Sequence, residues 1–252
     1  MGMKTKTVES RVGEHEYRKG VKARDLISFR VLIKETDLLI SASCDLLNKA
    51  KDIVFHYRRQ LEDYIKDNPV FFSTLLPYPN DVFAPDIVKR MISATRIFGI
   101  GPMASVAGAI AEFVGKELLN YSEEIIVENG GDIFLKTNNS VTVSIFAGRS
   151  KFSKRLGIVM HTEQIPAGVS TSSSTIGHSL SFGNTDAVCI VADSASIADA
   201  AATALGNRIK DKLSFNREIA LIKDWKDIRG GIVIVGNQMA TWGNIELINT
   251  DY

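Results

Sequence analysis

Three polar residues spaced four apart, Asp199, Thr203 and Asn207, are the side chains in this sequence best suited to chemistry. Residues four apart lie on the same face of an α-helix. A carboxylate, a hydroxyl and an amide on one face can hold a hard cation such as Mg²⁺, which prefers oxygen ligands. Two hypotheses follow. Either this face binds a cation, or the helix is buried and its Asp and Thr cap neighbouring loops.

The segment from Asp193 to Lys212 is predicted to form the helix that carries these residues. Asp193, Ser194 and Ser196 can each accept a hydrogen bond from an unpaired amide of the first turn, and the alanines that follow favour helix. The side opposite the polar stripe is apolar and comprises Ile197, Ala201, Ala204, Leu205 and Ile209. Because the residues flanking Asp199 are small, another group can approach this helix closely.

A second candidate site is the turn Asn129-Gly130-Gly131-Asp132, which joins the strand-like run EIIVE to the run IFLK. Two adjacent glycines that expose their amides between Asn and Asp can form an anion-binding nest. The same pattern is also typical of a tight turn or a strand bulge without a ligand.

Composition limits the class of protein. With 252 residues and 45% hydrophobic residues, the chain fits one large globular domain or two small ones. Lys and Arg total 30 and Asp and Glu total 29, so no net field attracts nucleic acid or an anionic membrane. Cys44 and Cys189 lie far apart in strand-like runs, which suggests reduced, buried thiols. With no signal peptide or bilayer-spanning stretch in the sequence, we expect a cytoplasmic protein.

The remaining pattern predicts an α+β fold with an antiparallel-rich sheet. A second helix rich in small residues is expected from Met103 to Ser122, on the same face of the sheet as the first. Other helices are expected at 45–68 and 87–97, and strands at 26–33, 38–42, 124–128, 133–136, 141–148, 155–161, 185–193, 217–225 and 230–236.

Several motifs resemble those of a known family. The segment Ala198 to Ala204, ADAAATA, resembles the ADALATA signature of the ApbE family, flavin transferases that move FMN from FAD onto a Thr or Ser of a target protein. The segment VENGGDI (127–133) is similar to the VNLGGDI of that family, and AGAIAEFVGKELL (107–119) to its AKGYAVDRAAELL helix. The chain resembles the short UPF0280 branch of ApbE-like proteins, found in archaea and anaerobic bacteria, more closely than it resembles the transferases. The segments that carry this likeness are GHSLSFG, DAVCIVAD and IADAAATALGNRI.

This resemblance covers the chain from Leu26 onward and implies a single ApbE-like domain over 21–252, preceded by a polar segment, 1–20. It implies Mg²⁺ at Asp199 and Thr203, with FAD, FMN or another phosphorylated small molecule as ligand and a protein as acceptor. The ligand-binding residues that it implies are Asn129, Gly130, Gly131, Asp132, Ser170, Thr171, Ser172, His178, Ala107 and Gly108. In particular, we expect His178 and the serine run 170–174 to share one pocket with the Asn129 turn.

The sequence also departs from the transferases. Gly108 stands where they have a lysine in the helix, Phe113 where they have an aspartate, and Ser181 where they have the proline of HIIDP; we also expect no lipoprotein leader. No catalytic residue can be assigned from spacing. The resemblance therefore leaves three functions open: a Mg²⁺-dependent flavin transferase or pyrophosphatase, a ligand-binding module without catalysis, and a non-flavin partner in anaerobic sulfur assimilation towards homocysteine.

Overall fold

The computed structural model describes residues 21–22, 26–148, 150–173, 183–222, 225 and 227–250. Its helices are α1 (Leu47–Asp67), α2 (Pro69–Ser73), α3 (Asp86–Arg96), α4 (Val106–Leu118), α5 (Ala195–Arg208) and α6 (Lys212–Ile222), with a 3₁₀ turn at Pro102–Ser105. Its strands are β1 (Val21–Lys22), β2 (Ile27–Ile33), β3 (Thr36–Ala42), β4 (Ile125–Asn129), β5 (Asp132–Lys136), β6 (Val141–Ser144), β7 (Leu156–Met160), β8 (Ala167–Ser172), β9 (Ala187–Ala192), β10 (Ile228–Val235), β11 (Gln238–Gly243) and β12 (Glu246–Asn249).

The strands form two antiparallel sheets in the described part of the chain. The larger sheet has the order β11-β10-β9-β8-β5-β4-β3-β2, and the smaller has the order β1-β6-β7-β12. At the centre of the larger sheet β5 pairs with β8, so that Asp132 lies opposite Ser170. This pairing joins the glycine turn, which lies between β4 and β5, to the serine-containing strand β8.

The larger sheet has a core on each face. On one face its side chains pack against α1, α3, α4 and α5, and on the other they pack against apolar residues of β6 and β7 in the smaller sheet. Side chains of alternate residues point to opposite faces of a strand, which accounts for the division between the two cores. None of the helices in the described ranges combines the length and the apolar character that a bilayer crossing requires.

Helices α4 and α5 cross in close contact over the larger sheet. A Cβ atom at Gly108 of α4 would overlap the carbonyl oxygen of Ala195 in α5, and a Cβ at Gly168 of β8 would overlap the backbone of Ala195. Glycine is therefore required where the two helices and the strand meet. The predicted α+β fold, with both small-residue helices on one face of an antiparallel sheet, is confirmed.

Two sequence predictions are wrong. The segment from Arg217 to Ile222, expected as a strand, belongs to α6, where Glu218 is buried beside Arg208. Its apolar residues are too few to distinguish a short strand from a helix by periodicity. Cys44, expected in a buried strand, is exposed in the bend that follows β3, whereas Cys189 is buried in β9.

The contact between α4 and α5 leads to a stability prediction. We expect Gly108→Ala to lower the free energy of unfolding by about 1–3 kcal/mol, because the new methyl group overlaps Ala195. Gly206→Ala in α5 is the matched control, since its Cβ would lie 3.5 Å from the nearest atom, Ser172 Oγ. The control should be neutral or more stable by up to about 1 kcal/mol. Urea denaturation of both variants checks this, and equal stability would contradict the close contact.

Candidate functional site

The carboxylate of Asp199 lies against the N-terminus of the neighbouring helix. Asp199 Oδ2 accepts a hydrogen bond from the Gly108 amide of α4 at 2.9 Å, and the Ala107 amide also interacts with this carboxylate. The first amides of a helix have no partner within the helix. Ser105, at the N-cap of α4, makes no side-chain capping bond, and its hydroxyl donates to the Pro102 carbonyl. Asp199 therefore supplies the cap from another helix, where the helix dipole also favours a negative charge.

The two amides do not fully offset the effect of burial on the pKa of Asp199. Asp199 is only 8% exposed, and burial raises its pKa to about 7, although the amides of Gly108 and Ala107 act to lower it. Burial also raises the pKa of Asp132 well above its ordinary value, and the nearby charge of Asp199 raises it further. Ionising both carboxylates in one poorly solvated site is costly unless a cation accompanies them. A cation at this point would favour the ionised form of both side chains.

The glycine turn lies beside this pair. Gly130 and Gly131 have positive φ values of 66° and 105°, which glycine adopts without strain. Asn129 Nδ2 donates to the carbonyl of Ala107 at 3.0 Å, which ties the turn to the start of α4. The Gly131 amide donates to Glu128 Oε1 at 2.8 Å, whereas a Cβ at Gly130 would meet nothing within 4 Å. The turn is therefore anchored at Asn129 and Gly131 and borders open space at Gly130.

The serine run is partly strand, and its side chains divide between the two faces of the sheet. Ser170 Oγ donates to Asp132 Oδ1 at 2.5 Å, on the face that carries α5. Ser172 lies on the same face, near Gly206. The Thr171 side chain interacts with Cys189, which packs in the core between the two sheets. The structure thus brings Ser170 to the carboxylate pair and places the Thr171 side chain on the opposite face, although the Thr171 amide donates to the Gly131 carbonyl at 3.3 Å.

The other predicted site residues are placed as follows. Thr203 lies one turn beyond Asp199 in α5 and is partly buried. His178 and Ser174 lie outside the described residues, so the pocket expected between His178 and the Asn129 turn stays a prediction. Within the described ranges, no three His, Cys, Asp or Glu side chains are grouped closely enough to bind a metal ion on their own. A cation here would depend on the two aspartates together with hydroxyl, carbonyl or ligand oxygens.

One residue of this region, Glu112, was not selected from the sequence. Its carboxylate is buried in α4 and accepts hydrogen bonds from the hydroxyls of Ser194 and Ser196 and from the Ser196 amide. The available signal was a single acid in an otherwise apolar and small stretch, AGAIAEFVG. Charged side chains are seldom fully buried unless they are paired, so such an acid can be recognised as a candidate before the structure is known.

Comparison with known proteins identifies the family. A family model described as "AbpE bacteria" matches residues 18–236. A UPF0280 protein of Methanocella arvoryzae is 41% identical over 217 residues, covering 86% of this chain and 88% of the relative. The chain is an ApbE-like protein of the UPF0280 family. A UPF0280 protein of Methanocaldococcus jannaschii is also 41% identical, over 229 residues that cover 88% of this chain and 93% of the relative.

Solved structures share the fold of this ApbE-like protein at low sequence identity. The apo flavinyl transferase ApbE of Pseudomonas stutzeri superimposes with a TM-score of 0.58 at 13% identity, covering 86% of this chain and 93% of its own. A variant of the flavin transferase ApbE of Vibrio cholerae gives a TM-score of 0.56 at 12% identity, with 86% and 96% covered. These comparisons establish a common architecture.

The raised pKa of Asp199 leads to a pH prediction for the metal-free protein. Between the unfolded pKa near 3.8 and the folded value of about 7, folded Asp199 keeps a proton that the unfolded chain has lost. The folded state thus binds more protons in this window, and stability should fall as pH rises through it. Asp199→Asn, which retains an acceptor for the Gly108 amide, should reduce this slope. Urea denaturation from pH 4.5 to 7.5 tests it; equal slopes would contradict the prediction.

Proposed function

We propose that this ApbE-like protein binds a flavin nucleotide together with Mg²⁺, at the point where the glycine turn meets the N-termini of α4 and α5. The observation that carries the proposal is the electrostatic state of the site. Asp199 is buried and Asp132 is partly buried, the pKa of each carboxyl is raised by burial, that of Asp132 is raised further by the charge of Asp199, and both lie beside a turn that borders open space. The relatives with this fold that are named as flavin transferases supply the ligand class.

The residues present fit Mg²⁺. The donor set consists of oxygen atoms, from the Asp199 and Asp132 carboxylates and the hydroxyl of Thr203, and a divalent cation would remove the repulsion between the carboxylates. Because Mg²⁺ is commonly bound by one or two carboxylates plus phosphate oxygens, two aspartates suffice if the ligand carries a phosphate. When bound, such an ion would polarise the pyrophosphate of a dinucleotide.

The glycine turn leaves room for the phosphate side of the ligand at Gly130. Gly130 is exposed and has no atom within 4 Å of its Cβ direction, so a bulky anion can approach the backbone there. Asn129 and Gly131 are held by Ala107 and Glu128, which fixes the shape of the turn before a ligand arrives. A preformed turn binds without the cost of ordering a loop.

Transfer of FMN is the second candidate, and two departures from the transferases bear on it. Phe113, at the position of their helix aspartate, packs edge-on against Tyr57 with ring centroids 5.3 Å apart. Gly108, at the position of their helix lysine, has its Cβ direction blocked by Ala195. Neither position can supply a charged group to the site. We therefore place flavin binding ahead of transfer in the proposal.

The test measures binding and chemistry separately. Binding of FAD, FMN and riboflavin is followed by flavin fluorescence with and without Mg²⁺, and AMP released from FAD is measured by mass spectrometry. We expect Mg²⁺ to strengthen binding of FAD and FMN but not of riboflavin, which has no phosphate. Asp199→Asn should weaken the Mg²⁺-dependent binding by about tenfold or more. AMP release would add the transferase or pyrophosphatase reaction to binding.

Gly206→Ala is the control for this experiment, because the substitution lies on α5 but adds only a methyl group with ordinary contacts. It should retain the affinity and Mg²⁺ dependence of the wild type. If neither FAD nor FMN binds in the presence of Mg²⁺, the proposal is wrong, and the remaining candidate is a role without a flavin.

A further inference from the structure

The N-termini of α4 and α5 are capped reciprocally. Gly108 of α4 and Ala195 of α5 mark the point where the helices touch. Four residues after Ala195, Asp199 accepts from the Gly108 amide at 2.9 Å. Four residues after Gly108, Glu112 accepts from the Ser196 amide at 3.1 Å. Each helix therefore supplies, one turn beyond the contact, the carboxylate that satisfies the first amides of the other.

Glu112 is the more strongly bonded of the two carboxylates. Besides the Ser196 amide, its Oε2 accepts from the Ser196 hydroxyl at 2.8 Å and from the Ser194 hydroxyl. Its Oε1 lies 2.6 Å from the ammonium of Lys116 and 3.6 Å from Nε of Arg90, which belongs to α3. Ser194 is itself the N-cap of α5 and accepts from the Ile197 amide at 3.3 Å. Glu112 thus bonds directly to the residues that begin α5.

The charges around Glu112 keep it ionised in this buried position. Burial acts to raise its pKa, but the Lys116 ammonium, the Ser194 hydroxyl and the Arg90 guanidinium together bring it below its ordinary value. The ionised form of Glu112 is therefore favoured at the start of α5, whereas burial raises the pKa of Asp199 at the start of α4. The two caps are alike in geometry and differ in electrostatic compensation.

We propose that Glu112 is a positioning residue, whose bonds to Ser194 and Ser196 hold the start of α5 against α4 so that Asp199 reaches the Ala107 and Gly108 amides. The expected effect of Glu112 on Mg²⁺ binding rests on the proposed function, but its expected effect on the hydrogen bond of the Gly108 amide does not. Asp199 lies only one turn from Ser196, and a helix moves as a unit over such a distance. A shift of α5 at Ser196 therefore changes the contact between Asp199 and Gly108.

The test compares Glu112→Gln with Val114→Ala. Glu112→Gln keeps the shape of the side chain and removes its charge. Val114→Ala removes two methyl groups from the core side of the same helix and leaves the hydrogen bonds that cap α5 in place. Hydrogen exchange of the Gly108 and Ala107 amides is measured by NMR in metal-free protein. We expect exchange at Gly108 to become about tenfold faster in Glu112→Gln than in a Val114→Ala protein of equal melting temperature.

A second measurement is the dissociation constant for Mg²⁺ by calorimetry in the presence of FMN. It should rise about tenfold in Glu112→Gln and stay unchanged in Val114→Ala, because groups that orient a ligand have effects of this size. Lys116→Gln, which removes the exposed partner of Glu112 but leaves the cap, should have a smaller effect on both readouts. Ser196→Ala removes one bond to Glu112 and serves if Glu112→Gln does not fold; it should shift both readouts in the same direction.

The outcomes separate this inference from the proposed function. Unchanged exchange at Gly108 in Glu112→Gln, or an equal change in Val114→Ala, overturns the positioning role. Failure of the wild type to bind Mg²⁺ with FMN overturns the proposed function, and the exchange measurement still decides whether Glu112 positions Asp199.

Discussion

The structure depends on the close crossing of α4 and α5 and on the two carboxylates that cap them. The crossing brings two helix N-termini together, which concentrates unpaired amides and two positive dipole ends in a buried region. Asp199 and Glu112 satisfy these amides from opposite sides. Glycine at 108 and 168 makes the approach sterically possible, because any side chain at either position would overlap Ala195. The small-residue character of this region is thus a packing requirement.

The same crossing determines the electrostatic environment of Asp199. A carboxylate that caps a buried helix must lose its water, and the amides compensate Asp199 only in part. The pairing of β5 with β8 then adds Asp132, held by Ser170, to the same neighbourhood. The carboxylate that caps α4 is therefore also one of the two carboxylates that a cation would stabilise. This explains how the two original hypotheses for Asp199, cap and cation ligand, can both apply to the same atoms.

The architecture is common to this chain and to the flavin transferases, while the side chains around the crossing are not. Where the resemblance indicates a lysine and an aspartate in the transferases, this chain has Gly108 in a backbone contact and Phe113 in an aromatic pair with Tyr57. A fold supports different functions when the residues at its site change. The glycine turn and the aspartate of α5 keep the residue types that the resemblance indicates, which is why the proposal places binding ahead of transfer.

The sequence by itself determined the fold class, most elements, and the candidates Asp199 and Asn129 to Asp132, because periodicity and turn chemistry are local properties. It did not distinguish a short strand from a helix at Arg217 to Ile222. Only the tertiary structure decided that Asp199 caps α4, that the Thr171 side chain lies on the opposite face of the sheet from Ser170, and that Glu112 of α4 bonds to the first residues of α5. These are contacts between residues 80 or more apart in the chain, or matters of which strand face is covered. Such relations arise from packing, which local patterns do not encode.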